Sequence, residues 1–160
     1  MTATAAAQLG HSQETLFAFY VAILGNDHVS LRALLIHPGQ QRLVDSPIIR
    51  DRNGGFNALM LATSLGHLEC IDHLITAGAD VNYRVDGRTP LHWAIRNVCG
   101  LLRLLTDPRV ILDAVDDSGH TALQRARGEK DLRASAEMIE AEVARRQRRL
   151  ARARPLRLIV

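Results

Sequence analysis

A chain of 160 residues that is 47% hydrophobic and only 4% aromatic is long enough for one compact domain, with a core of Leu, Ile, Val and Ala rather than large rings. The formal charge of +3 hides an asymmetry: seven of the 20 basic residues, and no acid, lie from Arg145 onward, leaving 13 basic against 17 acidic side chains before them. That mildly acidic body argues against a nucleic-acid-binding face there. No apolar run reaches the roughly 18 to 20 residues of a membrane span, and two cysteines are too few for a disulfide framework.

In chain order, the opening MTATAAAQLGHSQE lacks the basic start and apolar stretch of a signal peptide. FAFYVAILGNDHVSLRALLIHPG follows and reads as two short helices parted at Gly25, with Leu31, Leu34 and Leu35 inward on the second. HPGQQRLVDSPIIRDRNGG reads as an insertion, its Pro38 and Pro47 marking irregular chain. GFNALMLATSLGHLE then starts a helix with Leu59, Ala62 and Leu65 on one face, ended by Gly66. HLECIDHLITA supplies a second helix, with Leu68, Ile71, Leu74 and Ile75 inward and Gly78 as its stop. Cys70 and Cys99 both fall in apolar helical patterns and read as buried free thiols.

GRTPLHWAIRN and GHTALQRARGE repeat the opening of that unit. Gly55, Gly87 and Gly119 are spaced by 32 residues, as are Asn57, Thr89 and Thr121, and Leu59, Leu91 and Leu123. Each glycine relieves a turn, Thr89 caps the helix that follows, and Pro90 takes its first position. Neither helix of a unit buries a core alone; stacked on its neighbours it does. TPLH at 89–92, LGHLECIDHLITAGADVN at 65–82 and DDSGHTAL at 116–123 resemble the ankyrin repeat family, strongly over about 51–128 and weakly upstream. The resemblance implies an all-α solenoid of stacked helix–loop–helix units with β-hairpin-like loops. Residues 14–128 would form about four units, the first and last divergent; 129–154 a C-terminal capping helix with an arginine-rich end; and 155–160 a tail. The loop from Asn82 to Gly87 is one residue shorter than the family's, which trims its tip, and Pro108 shortens the second helix of the third unit.

His92, beside a threonine, invites a catalytic reading. The resemblance implies instead that Thr89 and His92 hydrogen-bond locally and fix the loop against the next repeat, with Met60 and Gln124 in the equivalent places. His67 and His73 lie on different helix faces, and His11, His28, His37 and His120 are isolated. No zinc spacing, phosphate loop or nucleophile elbow is present. No catalytic, cofactor-binding or metal-binding residue is assigned. The expected contact surface, carried over from the family, is the concave side of loop tips and first helices. It comprises Phe56, Ser64 and Leu65; Tyr83, Arg84, Val85, Arg88, Trp93, Arg96 and Asn97; and Asp117, Ser118 and His120. Gly55, Gly87, Gly119, Thr89, Pro90 and His92 are assigned structural roles.

In the C-terminal segment Leu132, Ala136, Ile139, Val143 and Leu150 form a helical stripe, acids cluster early and arginines late, and the arginine run reads first as a solvated helix end. The expected function is non-enzymatic: binding, and inhibiting or tethering, a partner protein through the concave surface. The alternative is an accessory or inhibitory subunit whose arginine-rich helix engages an acidic protein or, less favoured, nucleic acid. The expected location is cytoplasmic or nuclear. The degenerate units resemble bacterial or viral ankyrin proteins more than consensus ones, and for those delivery into a host cell is the further expectation.

Overall fold

Four times the chain lays down a helix, reverses, and lays down a second one against it, and the last three of these pairs begin 32 residues apart, at Ala58, Pro90 and Ala122. The computed structural model describes residues 3–36, 43–51 and 54–153. Helices α1 (Ala3–Leu24) and α2 (His28–Ile36) form the first pair, α3 (Ala58–Leu65) and α4 (Leu68–Thr76) the second. The third pair is α5 (Pro90–Ala94) and α6 (Val98–Leu105), the fourth α7 (Ala122–Gly128) and α8 (Arg133–Ala153), with a 3-10 turn at Lys130–Leu132 between them. One row of contacts runs α1, α3, α5, α7 and a second runs α2, α4, α6, α8, so the pairs stack as a two-layered solenoid. The first helix begins at Ala3, ahead of the expected start at 14.

The core follows the helical stripes. Phe19, Ile23, Leu31, Leu59, Ile71, Leu74, Leu91, Leu101, Leu104 and Ile139 are all fully or almost fully buried. The helices from α2 to α7 are only five to nine residues long, too short to be stable alone, so burial between neighbouring pairs supplies what local hydrogen bonding cannot.

Several expectations are corrected. The stretch marked by Pro47 is not irregular: strands β1 (Pro47–Asp51) and β2 (Gly54–Asn57) form an antiparallel hairpin with a bulge between Pro47 and Ile49. Proline opens the strand, where its missing N–H costs no ladder bond; Pro38 lies outside the described residues. Gly55 is therefore a strand residue paired with Arg50, not a turn glycine like Gly87 and Gly119, whose φ values are 73° and 75°. At the first helix break the left-handed position is Asn26 (φ 52°), not Gly25, a conformation asparagine tolerates.

On α4 the inward residues are Cys70, Ile71 and Leu74, while Leu68 is 40% exposed. At about 100° per residue Leu68 falls off the stripe the other three set. Leu65, at the end of α3, is also largely exposed. Cys70 is buried, its thiol pushed up by burial, but Cys99 is exposed. Leu150 is exposed because α8 runs on beyond the part of it, around Ala136 and Ile139, that packs on the stack.

Candidate functional site

The surface that faces away from the helix layers is built from three finger loops. The first is the β1–β2 hairpin; the others are shorter and close through single bridges, Val85 with Arg88 and Val115 with Thr121. In the second finger Asp86 (φ 46°) and Gly87 (φ 73°) are both left-handed, the pattern of a type I′ turn. Fingers are cross-linked in register. The Asp86 carboxylate accepts the Gly55 N–H (2.5 Å), and the Arg84 guanidinium donates to the Val115 carbonyl (2.6 Å). A Cβ on Gly87 would meet the Asp117 side chain at 2.0 Å, so only glycine permits both the turn and the close approach of the next finger.

Below each finger lies a helix cap. Asn57 Oδ1 accepts the Met60 N–H (2.9 Å), and Thr121 and Gln124 form a reciprocal capping box. At the middle joint His92 Nδ1 accepts the Thr89 N–H (3.2 Å) and lies 2.9 Å from the Thr89 hydroxyl. With Nδ1 accepting, the proton sits on Nε2, which donates to the His120 carbonyl (3.1 Å) in the next finger. His92 is 4% exposed, and burial holds its pKa below the ordinary histidine value, outweighing the opposing pull of the His120 carbonyl and Asp116. The ring has a full set of internal partners and no open face for a reactant.

Asp116 closes the third finger. Burial pushes its carboxyl up, but the N–H groups of His120 and Ser118 and the Arg125 guanidinium overcome that and bring it down to about 2. It is a buried anchor for a loop rather than an acid positioned for chemistry.

The expected contact residues divide into two sets. Phe56, Trp93 and Arg88 come together: the Phe56 and Trp93 rings are 4.1 Å apart, and the Arg88 guanidinium lies 4.9 Å from the Trp93 ring. All three remain half-exposed. Phe56 and Arg88 hold equivalent positions 32 residues apart, so the stack joins two neighbouring fingers through Trp93 of α5. Tyr83 is half-buried; Arg84, Arg96, Asp117, Ser118 and His120 are exposed, and Arg96 lies 3.6 Å from Glu129.

Two assignments are corrected. Val85 is buried, because its bridge to Arg88 turns the side chain inward. Asn97 is taken up by local structure: Oδ1 accepts the N–H groups of Cys99 and Gly100, and Nδ2 donates one hydrogen bond to the Leu65 carbonyl. His28 is not isolated either; its ring stacks on His73 at 6.1 Å. Among the described residues no three His, Cys, Asp or Glu side chains gather as a metal site.

Two features escaped the sequence reading. Gly100 sits where α6 crosses α3 so closely that a Cβ would meet the Thr63 carbonyl oxygen at 2.0 Å. The signal was a glycine inside an otherwise apolar helix. The second lies in the arginine run, which is not uniformly solvated. Arg146 donates to the carbonyls of Val110 (2.6 Å) and Asp107 (3.0 Å) and pairs with the buried Glu142 (2.8 Å), pinning α8 to the loop after α6.

A family model described as ankyrin repeats, in three copies, matches residues 5–108. That segment holds the first three helix pairs and stops before the fourth. The chain is 36% identical over 83 residues to protein phosphatase 1 regulatory subunit 12A of Mus musculus, and equally to its counterpart in Rattus norvegicus. The aligned part is 49% of this chain but 8% of each relative. No described helix is long and apolar enough to cross a membrane.

Proposed function

The chain belongs to the ankyrin-repeat family, whose repeats are protein–protein interaction modules, and from that premise we propose that it works by binding a partner protein across its finger loops and inner helices. The observation that carries this reading is the Phe56–Trp93–Arg88 stack. Aromatic and arginine side chains held half-exposed and rigid are the composition of interface hot spots. The fingers are locked to one another by Asp86, Arg84 and His92, so the surface enters a complex already ordered, and little conformational entropy is lost on binding.

The output is affinity: masking or tethering a target, not turning it over. The relatives are regulatory subunits by name, and a regulatory role for this chain fits the same logic. Its two free cysteines suit a reducing compartment, cytoplasmic or nuclear. Protein phosphatase 1 is the first defined candidate to test as a partner, on the strength of the relatives' name.

The test is affinity capture with the full chain against an Arg88→Glu and Tyr83→Ser double variant, read by mass spectrometry and repeated with purified protein phosphatase 1. One protein retained by the parent and lost from the variant, with thermal stability unchanged, is the expected result. Identical captures from both chains would remove the finger surface from the proposal.

A further inference from the structure

The outer layer carries a second surface, separate from the fingers. Between α6 and α8 two adjoining hollows of about 640 and 290 Å³ share Thr106, Glu142 and Arg145, and together they follow α8 from Met138 to Ala153. That is about 22 Å of helix, or four turns. One end is apolar: Leu102, 56% exposed, stands over Leu105, Met138 and Ala141. The other end is rimmed by Arg145 and Arg149, with Leu150 69% exposed beside them.

The charge along this groove is one-sided by construction. Arg146 is tied to backbone carbonyls, and Arg145 and Arg146 share one buried acid, Glu142. Arg148, Arg149 and Arg152 lie on the exposed continuation of α8 with no acidic partner among the described residues. From Arg145 to Ala153 the sequence contains no acid at all. The staple at Arg146 also makes the groove a fixed feature, since it holds α8 against the loop after α6.

We propose that this groove docks an acidic segment of a partner protein, an apolar anchor seated over Leu102 and Met138 and carboxylates running toward Arg149 and Arg152. The pairing of an apolar floor with a cationic rim selects this occupant. A nucleic acid would satisfy the arginines, but its phosphates gain nothing from Leu102, Met138 and Leu150. The surface is independent of the finger loops, so the chain has two faces with which to join partners.

The test is fluorescence anisotropy on the full chain with a labelled synthetic 16-residue peptide bearing two leucines one helical turn apart followed by five glutamates. Two further probes are the same peptide with serine for both leucines and a 12-base-pair DNA duplex. The leucine peptide is expected to bind about tenfold more tightly than the serine peptide. Its affinity should fall about tenfold in Arg149→Glu with Arg152→Glu and roughly fivefold in Leu102→Ser, all exposed positions, and stay unchanged in Arg88→Glu. Loss in Arg88→Glu, no loss in the groove variants, no binding by the leucine peptide, or a duplex that binds as tightly as it does would each overturn the proposal. Because Arg88 belongs to the fingers, the finger-surface reading stands or falls separately.

Discussion

The third and fourth helix pairs are built on one template and use it differently. In the third, the residue three places after the capping threonine is His92, buried, with one ring nitrogen on its own cap and the other on the His120 carbonyl of the next finger. In the fourth, the same place holds Gln124, exposed and bonded only to its own Thr121. The same local geometry is a junction between units in the middle of the stack and only a helix cap at its end. A ring that accepts from its own cap on one side and donates to the next finger on the other ties neighbours together; a side chain that closes on its own cap does not.

Mutations that act at the inner and outer positions should therefore differ in size. The largest difference is expected between two glycines. Gly100→Ala drives a methyl into the Thr63 backbone and should cost about 3 kcal/mol or more. Gly128→Ala, in the last turn of α7 with open space around it, should be neutral or stabilise by up to about 1 kcal/mol. Urea denaturation midpoints measure both, and equal shifts would erase the contrast between centre and end.

Next comes Asp116, whose replacement by Ala removes a buried carboxylate that accepts from two backbone N–H groups and Arg125. A loss of about 3 kcal/mol is expected. Because its folded pKa is lowered from 3.8 to about 2, its contribution is complete above 3.8 and disappears as pH falls through that interval. Acid unfolding of Asp116→Ala should lack that component.

His92→Ala should cost about 2 kcal/mol and Gln124→Ala about 0.5 to 1 kcal/mol, since only the first leaves groups of two fingers without partners. Similar changes in melting temperature for the two would mean that His92 is a cap and no more.

The smallest effect is a pH slope. The folded pKa of His92 lies below its ordinary 6.5, so protonation favours the unfolded chain. Stability should be full above about 6.5 and decline as pH falls below it. His92→Gln, which has no titrating ring, should flatten the melting-temperature profile between pH 7 and 5.

Much of this architecture was legible because the repeat constrains several positions at once. Thr89, Pro90 and Leu91 each have a reason to be where they are, and those reasons recur 32 residues away on either side. The contact surface was legible only as a set of positions. Phe56, Trp93 and Arg88 are distant in the chain, and nothing in their spacing shows that two rings and a guanidinium stack. Val85 and Asn97 looked like surface residues by position, yet one turned inward and the other was taken up by backbone groups. The arginine run shows the same limit: composition marked it as basic but could not distinguish Arg146, which staples α8, from Arg149, which faces water.

By itself the sequence determined the 32-residue period from Gly55 onward, the helix starts after Asn57, Thr89 and Thr121, and the stop at Gly66, because each depends on residues within one or two turns of one another. The tertiary structure decided which copies of a shared motif became joints, which glycine was indispensable and which charges stayed free. Those outcomes depend on what a neighbouring unit brings within a few ångströms: Thr63 against Gly100, His120 against His92, the loop at Asp107 against Arg146. A repeat tells each unit how to fold; only stacking tells it what it touches.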